Sequence, residues 1–349
     1  MTDNTLSDDT LYNAALYSNT LYDNTLYHKR KKPLETFLLA AVYGAASISI
    51  LLLLGIVGYV FVKGFRNVTW NFLTTVTSTL RRTAGIAGNI VNTLYIVVLT
   101  MVVATPVGVG AAIYLNEYAK PGRLVDLIDF ATETLAGIPS VLFGLFGMVF
   151  FGEVLGLGYS LLSGALTLTL MVLPLLIRST QEALRSVPDS YRSGALGMGA
   201  SKWYMIRTIL LPSAMPGILT GVILAVGRIV GESAALLFTA GSGRLLPRLR
   251  GDFLDNLGRL GSKVFDTGGT LTVELYLQMQ DGKYDIAFGV GCVLICIVLC
   301  MNLLMKVLQG KENTVYELEV SVSKNFSQLS KGEGEQRSKR NKGVKEIKE

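Results

Sequence analysis

Two charged residues interrupt an otherwise apolar stretch, "LAVGRIVGESAALLF", at residues 224–238. In a helix Arg228 and Glu232 lie one turn apart, on the same side. A central arginine in a membrane span costs about 2.5–3.5 kcal/mol on insertion scales, and an i,i+4 ion pair returns only about 0.2–0.5 kcal/mol. The ion pair therefore does not offset the cost of the arginine, which favours a role for the two charges in a transport pathway. A purely structural ion pair is the alternative.

Binding of an anion would explain why an arginine is present in this apolar stretch. A guanidinium group matches the oxygens of a compact oxyanion such as phosphate in a bidentate fashion. We therefore expect Arg228 to line an anion path and Glu232 to weaken the positive field there, so that the anion is also released. Arg178, at the inner end of another apolar stretch, is a second candidate contact with the anion, and its alternative role is a positive-inside anchor.

The residue composition gives little support for a metal site, a catalytic triad or a disulfide framework. The single histidine, His28, lies in a polar leader, so neither a zinc site nor a Ser-His-Asp triad is expected. Three cysteines recur every four residues in one apolar block and predict helix packing rather than a disulfide framework; they are Cys292, Cys296 and Cys300.

A phosphate-binding loop is only superficially present. Gly194 begins a Gly-x4-Gly spacing, but Ala200 and Ser201 follow where such a loop requires Lys and Ser or Thr. We therefore expect no catalytic residue, no metal and no cofactor bound by this chain.

Long apolar blocks must position these side chains. Of the 349 residues, 50% are hydrophobic and 17% are charged, and the hydrophobic ones cluster in blocks of about 20 or more, which suffices to cross a bilayer core of about 30 Å. A helix satisfies its backbone hydrogen bonds within one segment, so the blocks predict an all-α membrane protein with six transmembrane helices. The predicted spans are 36–62, 88–115, 126–151, 157–178, 213–240 and 285–308.

The charge distribution predicts the organisation around these spans. The basic cluster "HKRKK" and a basic, charged tail favour both termini on the cytoplasmic side, and nucleic-acid binding is not expected beside several spans. The predicted parts are a disordered cytoplasmic leader at 1–33, the first transmembrane helix at 34–64, a core of five helices at 86–309, a cytoplasmic loop at 186–212 and a cytoplasmic tail at 310–349.

Small residues define one side of the fifth predicted span. Gly217, Gly221 and Ala225 share a helix face with the two charges and predict close packing in the bundle interior. The opposite face, which carries Val226 and Val230, is expected to face lipid. Prolines in three other spans predict kinks; they are Pro106, Pro139 and Pro174.

The loop at 186–212, named the coupling loop below, is long, basic and patterned. "SYRSGALGMG" and "ASKWYMIRTILL" predict two short amphipathic helices around Gly199, a residue suited to the left-handed conformation that ends a helix. Pro212 is expected to stop the second helix before the fifth span begins. A basic amphipathic loop lying on the membrane surface is the alternative interpretation.

The coupling loop resembles the EAA loop of ABC importer permeases, whose form is Glu-Ala-Ala, three residues, Gly, nine residues and Ile-x-Leu-Pro. The glycine and the final motif keep that spacing here, whereas the leading glutamate of the triplet is replaced by serine, which puts a salt bridge from that position in doubt. The resemblance implies a coupling helix docked on an ATPase subunit, carried by Ser193, Gly194, Ala195, Gly199, Ala200, Ile209, Leu211 and Pro212.

Segments such as "GIPSVLFGLFG" and "GRIVGESAALLFTAG" extend the resemblance over residues 88–308 to the PstA permeases of phosphate importers. Ala235 departs from the proline common there, so no kink is expected at that residue. The resemblance implies a type I ABC importer permease fold with cytoplasmic coupling helices, and alternating access in the cytoplasmic (inner) membrane. It also implies three partners: a PstC-like second permease, a PstB-like ATPase dimer that uses ATP and Mg, and a PstS-like phosphate-binding protein.

Several alternatives remain at this stage. Within the same family the chain would be the PstC-like partner or a permease for sulfate or molybdate. An ion-driven secondary carrier or a channel would need no ATPase dock, and a scaffold protein would use only the leader and the tail.

Overall fold

The computed structural model describes residues 33–78, 83–246 and 253–307. The predicted leader and tail, apart from Pro33, lie outside the described residues. The chain divides into two compact units between Tyr59 and Val60. The first unit consists, in its described part, of most of helix α1 (Pro33–Gly64), which covers the first predicted span and extends it slightly at both ends.

The second unit contains the remaining helices and one small hairpin. After the last turn of α1 come a short 3-10 turn (Phe65–Asn67), α2 (Trp70–Thr74), β1 (Val76–Ser78), β2 (Thr83–Ile86), α3 (Ala87–Ile113), α4 (Arg123–Gly137), α5 (Ser140–Gly147), α6 (Leu161–Arg185), α7 (Asp189–Gly197), α8 (Lys202–Met205), α9 (Leu211–Gly231), α10 (Ala234–Thr239), α11 (Phe253–Ser262), a 3-10 turn (Lys263–Phe265), α12 (Leu271–Gln280) and α13 (Tyr284–Val307). Wide π-type turns extend α3 (Tyr114–Tyr118), α5 (Met148–Val154) and α8 (Ile206–Leu210).

The strands β1 and β2 pair antiparallel just before α3 begins. We call this side of the second unit the hairpin end, and the side that carries the coupling loop the loop end. Helix α3 runs from the hairpin end to the loop end, and its 27 residues span about 40 Å.

Five helical segments of the described chain are long and apolar enough to cross a membrane, and α4 with α5 makes a sixth if the two are one span. The five are Phe37–Asn67, Ala87–Tyr118, Leu161–Arg185, Lys202–Gly231 and Tyr284–Val307. The predicted number of spans therefore holds only when the broken pair is counted as one crossing.

The third predicted span, 126–151, was wrong as a continuous helix, because α4 and α5 meet at an angle of 103°. The break lies at Ile138, which is extended at ψ 132°, and at Pro139. A proline disfavours helical geometry in the residue before it and lacks a backbone donor of its own. The predicted kink is therefore a sharp corner.

The fifth predicted span also differs at both ends. The helix is unbroken from Lys202 to Gly231, so the prediction that Pro212 stops it is wrong. The π-type turn Ile206–Leu210 comes directly before Leu211 and Pro212. The shift in the hydrogen-bond pattern therefore falls where the proline lacks a backbone donor. At the other end α9 stops at Gly231, Glu232 is extended at ψ 128°, and α10 begins after it.

Helix α6 is the central packing partner of the second unit, since both α3 and α9 pack extensively against it. Gly217 lies against Ala183 and Gly221 against Ser179, each too close for an added Cβ, which confirms the close-packing role predicted for these two glycines. Val226 and Val230 are buried in the core, so the prediction that their face contacts lipid is wrong.

Candidate transport pathway and coupling loop

Arg228 lies on a side of α9 that the described residues leave largely uncovered. The exposed or half-exposed residues of this side, which recur at helical spacing, are Thr220, Leu224, Gly227, Arg228 and Gly231. Arg228 is the only charged residue of α9. Within the described chain its guanidinium group has neither an ion pair nor a hydrogen bond. This unpaired arginine is therefore available to an anion or to a neighbouring subunit.

Glu232 does not pair with Arg228 in the structure. Its Oε1 accepts a hydrogen bond of 3.1 Å from the backbone N–H of Ala235, at the first turn of α10. Its backbone carbonyl accepts one of 2.7 Å from the hydroxyl of Thr272 in α12. The predicted i,i+4 geometry is lost because α9 ends before Glu232, and the carboxylate instead holds the start of the next helix. The chain turns here although Ala235 is not proline.

Arg178 lies near the loop end of α6 and pairs with Glu133 of α4 at 2.5 Å. Both side chains are well exposed, at 47% and 64%. An exposed pair of this kind contributes between about 0 and 1 kcal/mol. The structure therefore gives Arg178 a carboxylate partner on the bent segment. No ion pair or hydrogen bond of the described residues joins any two of the three predicted pathway residues.

The coupling loop has the two helices that its pattern predicted. Between α7 and α8 the backbone N–H of Gly199 donates to Leu196 O at 3.0 Å and that of Ala200 donates to Ala195 O at 3.1 Å. This pair of bonds closes a helix with a left-handed residue, and Gly199 has φ +83°. Ser201 then begins α8 by accepting a hydrogen bond from the backbone N–H of Tyr204.

The predicted coupling residues differ in burial. Ala195 is buried in a cluster with Leu184, Val187 and Met205, which anchors α7 to the bundle. Ser193, Gly194 and Gly199 are exposed, and Ala200, Ile209, Leu211 and Pro212 are half-buried. The motif therefore has two parts: Ala195 packs the loop against the bundle, whereas Ser193, Gly194 and Gly199 face outward.

Sequence reasoning missed the large apolar side chains that this loop exposes. Met198 is 84% exposed, Trp203 61% and Tyr204 57%. These three side chains are called the apolar patch below. Exposed apolar side chains grouped on a polar loop are typical of a protein-binding surface, and aromatic and methionine side chains are enriched in such surfaces. The signal in the sequence was the presence of Met and Trp in an otherwise polar, basic segment.

Sequence reasoning also missed Glu117, in the π-type turn that ends α3. Its side chain is 5% exposed and pairs with the half-buried Arg192 of α7 at 3.1 Å. Ser193 stands where the EAA motif has its leading glutamate. Arg192, the residue before Ser193, has an ion pair instead, and its carboxylate partner Glu117 belongs to a different helix, α3.

A second buried carboxylate, Glu274 of α12, lies at the hairpin end. It is 1% exposed and accepts a hydrogen bond of 2.7 Å from Nε of Arg244. Asn89 of α3 and Gln278 also donate to it, at 3.4 and 2.6 Å. Backbone of Arg244 approaches Gly88 so closely that no side chain fits there. The network ties the start of α3 to the long segment after α10.

Comparison with known proteins places this arrangement in a family. Residues 104–312 match the family described as "Binding-protein-dependent transport system inner membrane component". The chain is 40% identical over 196 residues to a protein of Bacillus subtilis (strain 168) named "Probable ABC transporter permease protein YqgI", covering 56% of this chain and 67% of that one. It is 38% identical over 178 residues to "Phosphate transport system permease protein PstA" of Xylella fastidiosa (strain Temecula1), covering 51% of this chain and 62% of that one, which is less than two thirds.

Among solved structures, one chain of a bacterial alginate ABC transporter, crystallised in complex with an alginate pentasaccharide-bound periplasmic protein, is similar in fold. Its TM-score is 0.57 at 15% identity, covering 80% of this chain and 96% of that chain. This likeness confirms the predicted permease fold of ABC importers. Together with the match over 104–312 it confirms the predicted family: the chain belongs to the binding-protein-dependent inner-membrane components, the permeases of ABC importers.

Proposed function

We propose that this chain is one half of the membrane channel of an ATP-driven importer for inorganic phosphate. The observation that carries the proposal is Arg228, whose exposed guanidinium group lies on an apolar membrane helix and has no partner among the described residues. A charge in that position is expensive unless it meets an anion or a partner group. Relatives at 37–38% identity named as phosphate permeases support phosphate as the anion.

The uncovered side of α9 fits the boundary between two permease subunits. A PstC-like second permease would face it, so that the anion path runs between the two chains with Arg228 on its wall. In this arrangement both termini and the coupling loop are cytoplasmic and the hairpin end is external, where a PstS-like phosphate-binding protein would dock.

Glu232 then acts by shaping the site rather than by contacting Arg228. Its carboxylate holds the first turn of α10, so that the chain can turn away directly after the arginine. Arg178 is a weaker candidate for a second contact with phosphate, because Glu133 already neutralises it.

Uptake of labelled phosphate by the complete complex in proteoliposomes tests the pathway. Arg228→Gln is expected to reduce uptake at least tenfold, since the bidentate contact is lost. Arg228→Lys should retain part of the uptake, because it keeps the charge without the planar fork. Arg178→Gln should have a smaller effect. Wild-type uptake by Arg228→Gln would contradict the proposal.

The apolar patch of the coupling loop would dock on an ATPase dimer that binds ATP and Mg, a PstB-like partner. Co-purification tests this: the wild-type complex should retain the ATPase, and Trp203→Ser should release much of it. An intact permease that never retains an ATPase would favour an ion-driven carrier. Competition by sulfate or molybdate for the cognate binding protein would identify another oxyanion as the substrate.

A further inference from the structure

The end of α3 carries a single buried carboxylate, Glu117, within the turn Tyr114–Tyr118. Arg192 of α7 donates to its Oε1 from Nε at 3.2 Å and from Nη2 at 3.1 Å. Burial of a carboxylate is costly unless it is paired and hydrogen-bonded, so the position of Glu117 depends on Arg192. One charged contact thus joins a transmembrane helix to the coupling loop.

Arg192 also fixes the first half of the coupling loop to the bundle. Its Nη2 donates to Leu184 O at 2.8 Å in the last turns of α6, and its Nη1 donates to Val187 O at 3.0 Å. Nη1 also donates to Asp189 Oδ1 at 3.0 Å. A planar guanidinium group presents its donors in a fixed fork. The arginine therefore fixes α6, α7 and the end of α3 relative to one another.

The second half of the coupling loop reaches the same turn of α3. Lys202 donates from Nζ to the backbone carbonyl of Glu117, and the same ammonium lies 5.0 Å from the ring centre of Tyr118, within the range of a cation–π contact. Asn116 donates to Glu117 Oε1 at 2.8 Å and accepts from Arg185 at 3.4 Å. Both halves of the loop are thus tied to Glu117 or Tyr118, and the last residue of α6, Arg185, is tied to the neighbouring Asn116.

We infer that the ion pair between Glu117 and Arg192 is a positioning pair that transmits movement of the coupling loop to α3. At its other end α3 contributes Asn89 and Asn92 to the network of the hairpin end. Rigid secondary elements and chains of packed side chains carry coupling between distant sites, and α3 runs as one helix between the two networks. The inference rests on the proposed docking of an ATPase on this loop.

The test uses the complete complex, reconstituted in proteoliposomes with its ATPase and its binding protein. Glu117→Gln is nearly isosteric and removes the charge. We expect this variant to retain the ATPase at the wild-type level and to hydrolyse ATP at the unstimulated rate. Stimulation by the loaded binding protein should be lost, and substrate uptake per ATP hydrolysed should fall at least tenfold. A contact that only stabilised the fold would lower the yield of complex and all rates together.

Asp189→Asn is the matched control, since Asp189 pairs with the same arginine at 3.0 Å but its side chain is 97% exposed. We expect its uptake per ATP to stay within twofold of the wild type, and an equal loss in both variants would overturn the inference. Glu117→Asp should recover part of the stimulation. In Glu117→Gln/Arg192→Gln the loss should not exceed that of the worse single variant, because one link is broken either way.

The readouts separate this inference from the proposed function. A wild-type complex that retains no ATPase contradicts the docking on which both depend. A wild-type complex with normal stimulation, together with a Glu117→Gln variant that matches it in uptake per ATP, overturns the positioning pair alone.

Discussion

The two ends of α3 are held by different kinds of polar contact. At the loop end, Glu117 pairs with Arg192, whose remaining donors reach two carbonyls and one exposed carboxylate. At the hairpin end, Glu274 gathers Arg244, Asn89 and Gln278. Both carboxylates are buried and each has one arginine partner. Backbone carbonyls near Arg192 in sequence complete the loop-end pair, whereas Glu274 is held by three side chains, of which Asn89 and Arg244 are distant in sequence.

The difference appears in the atoms that lack a partner. Among the described residues, the buried side-chain oxygens without a hydrogen bond are Asn89 Oδ1, Asn92 Oδ1 and Gln278 Oε1 in the hairpin-end network, and Ser163 Oγ and Thr180 Oγ1 along α6; none belongs to Glu117. Fully satisfied networks fix a single arrangement, and partly satisfied ones are completed by water or by rearrangement. We therefore interpret the loop end as a fixed joint and the hairpin end as an adjustable one.

The largest expected effect on stability belongs to the hairpin end. Glu274→Ala leaves the Arg244 guanidinium and two amide groups without their shared acceptor, and breaking such a buried pair costs about 3–5 kcal/mol. The measurement is the unfolding midpoint in detergent. Asp281→Ala removes an exposed ion pair with Lys283 at the same end and should cost less than about 1 kcal/mol. Equal shifts in both variants would contradict the central role given to Glu274.

Glu117→Ala should destabilise the chain less than Glu274→Ala does, by about 1–3 kcal/mol. Arg192 is half-buried and keeps Asp189 and two carbonyls as partners, so its charge is not left alone. Both variants can be compared by the same detergent unfolding assay. A greater loss at Glu117 than at Glu274 would reverse the order that the two networks predict.

Gly199→Ala should destabilise the coupling loop by about 1–2 kcal/mol, because φ +83° places a Cβ in the unfavourable left-handed region. Gly194→Ala is the matched control: it lies within α7 and has open space around it, so alanine should stabilise by about 0.5–1 kcal/mol. Limited proteolysis of the loop distinguishes the two. Equal protection would show that the left-handed turn does not limit the loop.

The smallest effect concerns Lys263, which is 3% exposed at the hairpin end. Burial lowers the pKa of this lysine below its usual value of 10.5, and Asp266 partly offsets the shift. The unfolded chain therefore holds this proton more tightly, so stability should rise with pH between the lowered pKa and 10.5. Lys263→Met should change stability at pH 7 by less than about 1 kcal/mol and remove that rise. An unchanged pH dependence of unfolding in the variant would contradict this origin.

Much of the fold was predictable, because hydrophobic length and loop chemistry are local properties. The first and the last predicted spans agree with the observed helices to within a few residues. The turn at Gly199 followed from its residue type. The corner at Pro139 was predicted only as a kink, since a proline fixes the backbone locally but not the direction of the next helix. The end of α9 at Gly231 had no proline to mark it.

The candidate pathway was less predictable for the same reason. Helical periodicity predicted that Arg228 and Glu232 share one face of a helix. Because α9 ends at Gly231, between the two residues, this spacing no longer places their side chains together. Glu117 was passed over because its partner is 75 residues away along the chain, and no spacing rule joins residues so distant.

The sequence by itself determined the family, the membrane class, the coupling loop and the single charge of α9, since each depends on residue types at short spacing. Only the tertiary structure decided which charges meet. It separated Glu232 from Arg228, gave Arg178 to Glu133 and joined Glu117 to Arg192. Pairing at such distances is set by how α3, α4, α6 and α7 pack, because packing directions, rather than local preferences, bring remote side chains within hydrogen-bonding reach.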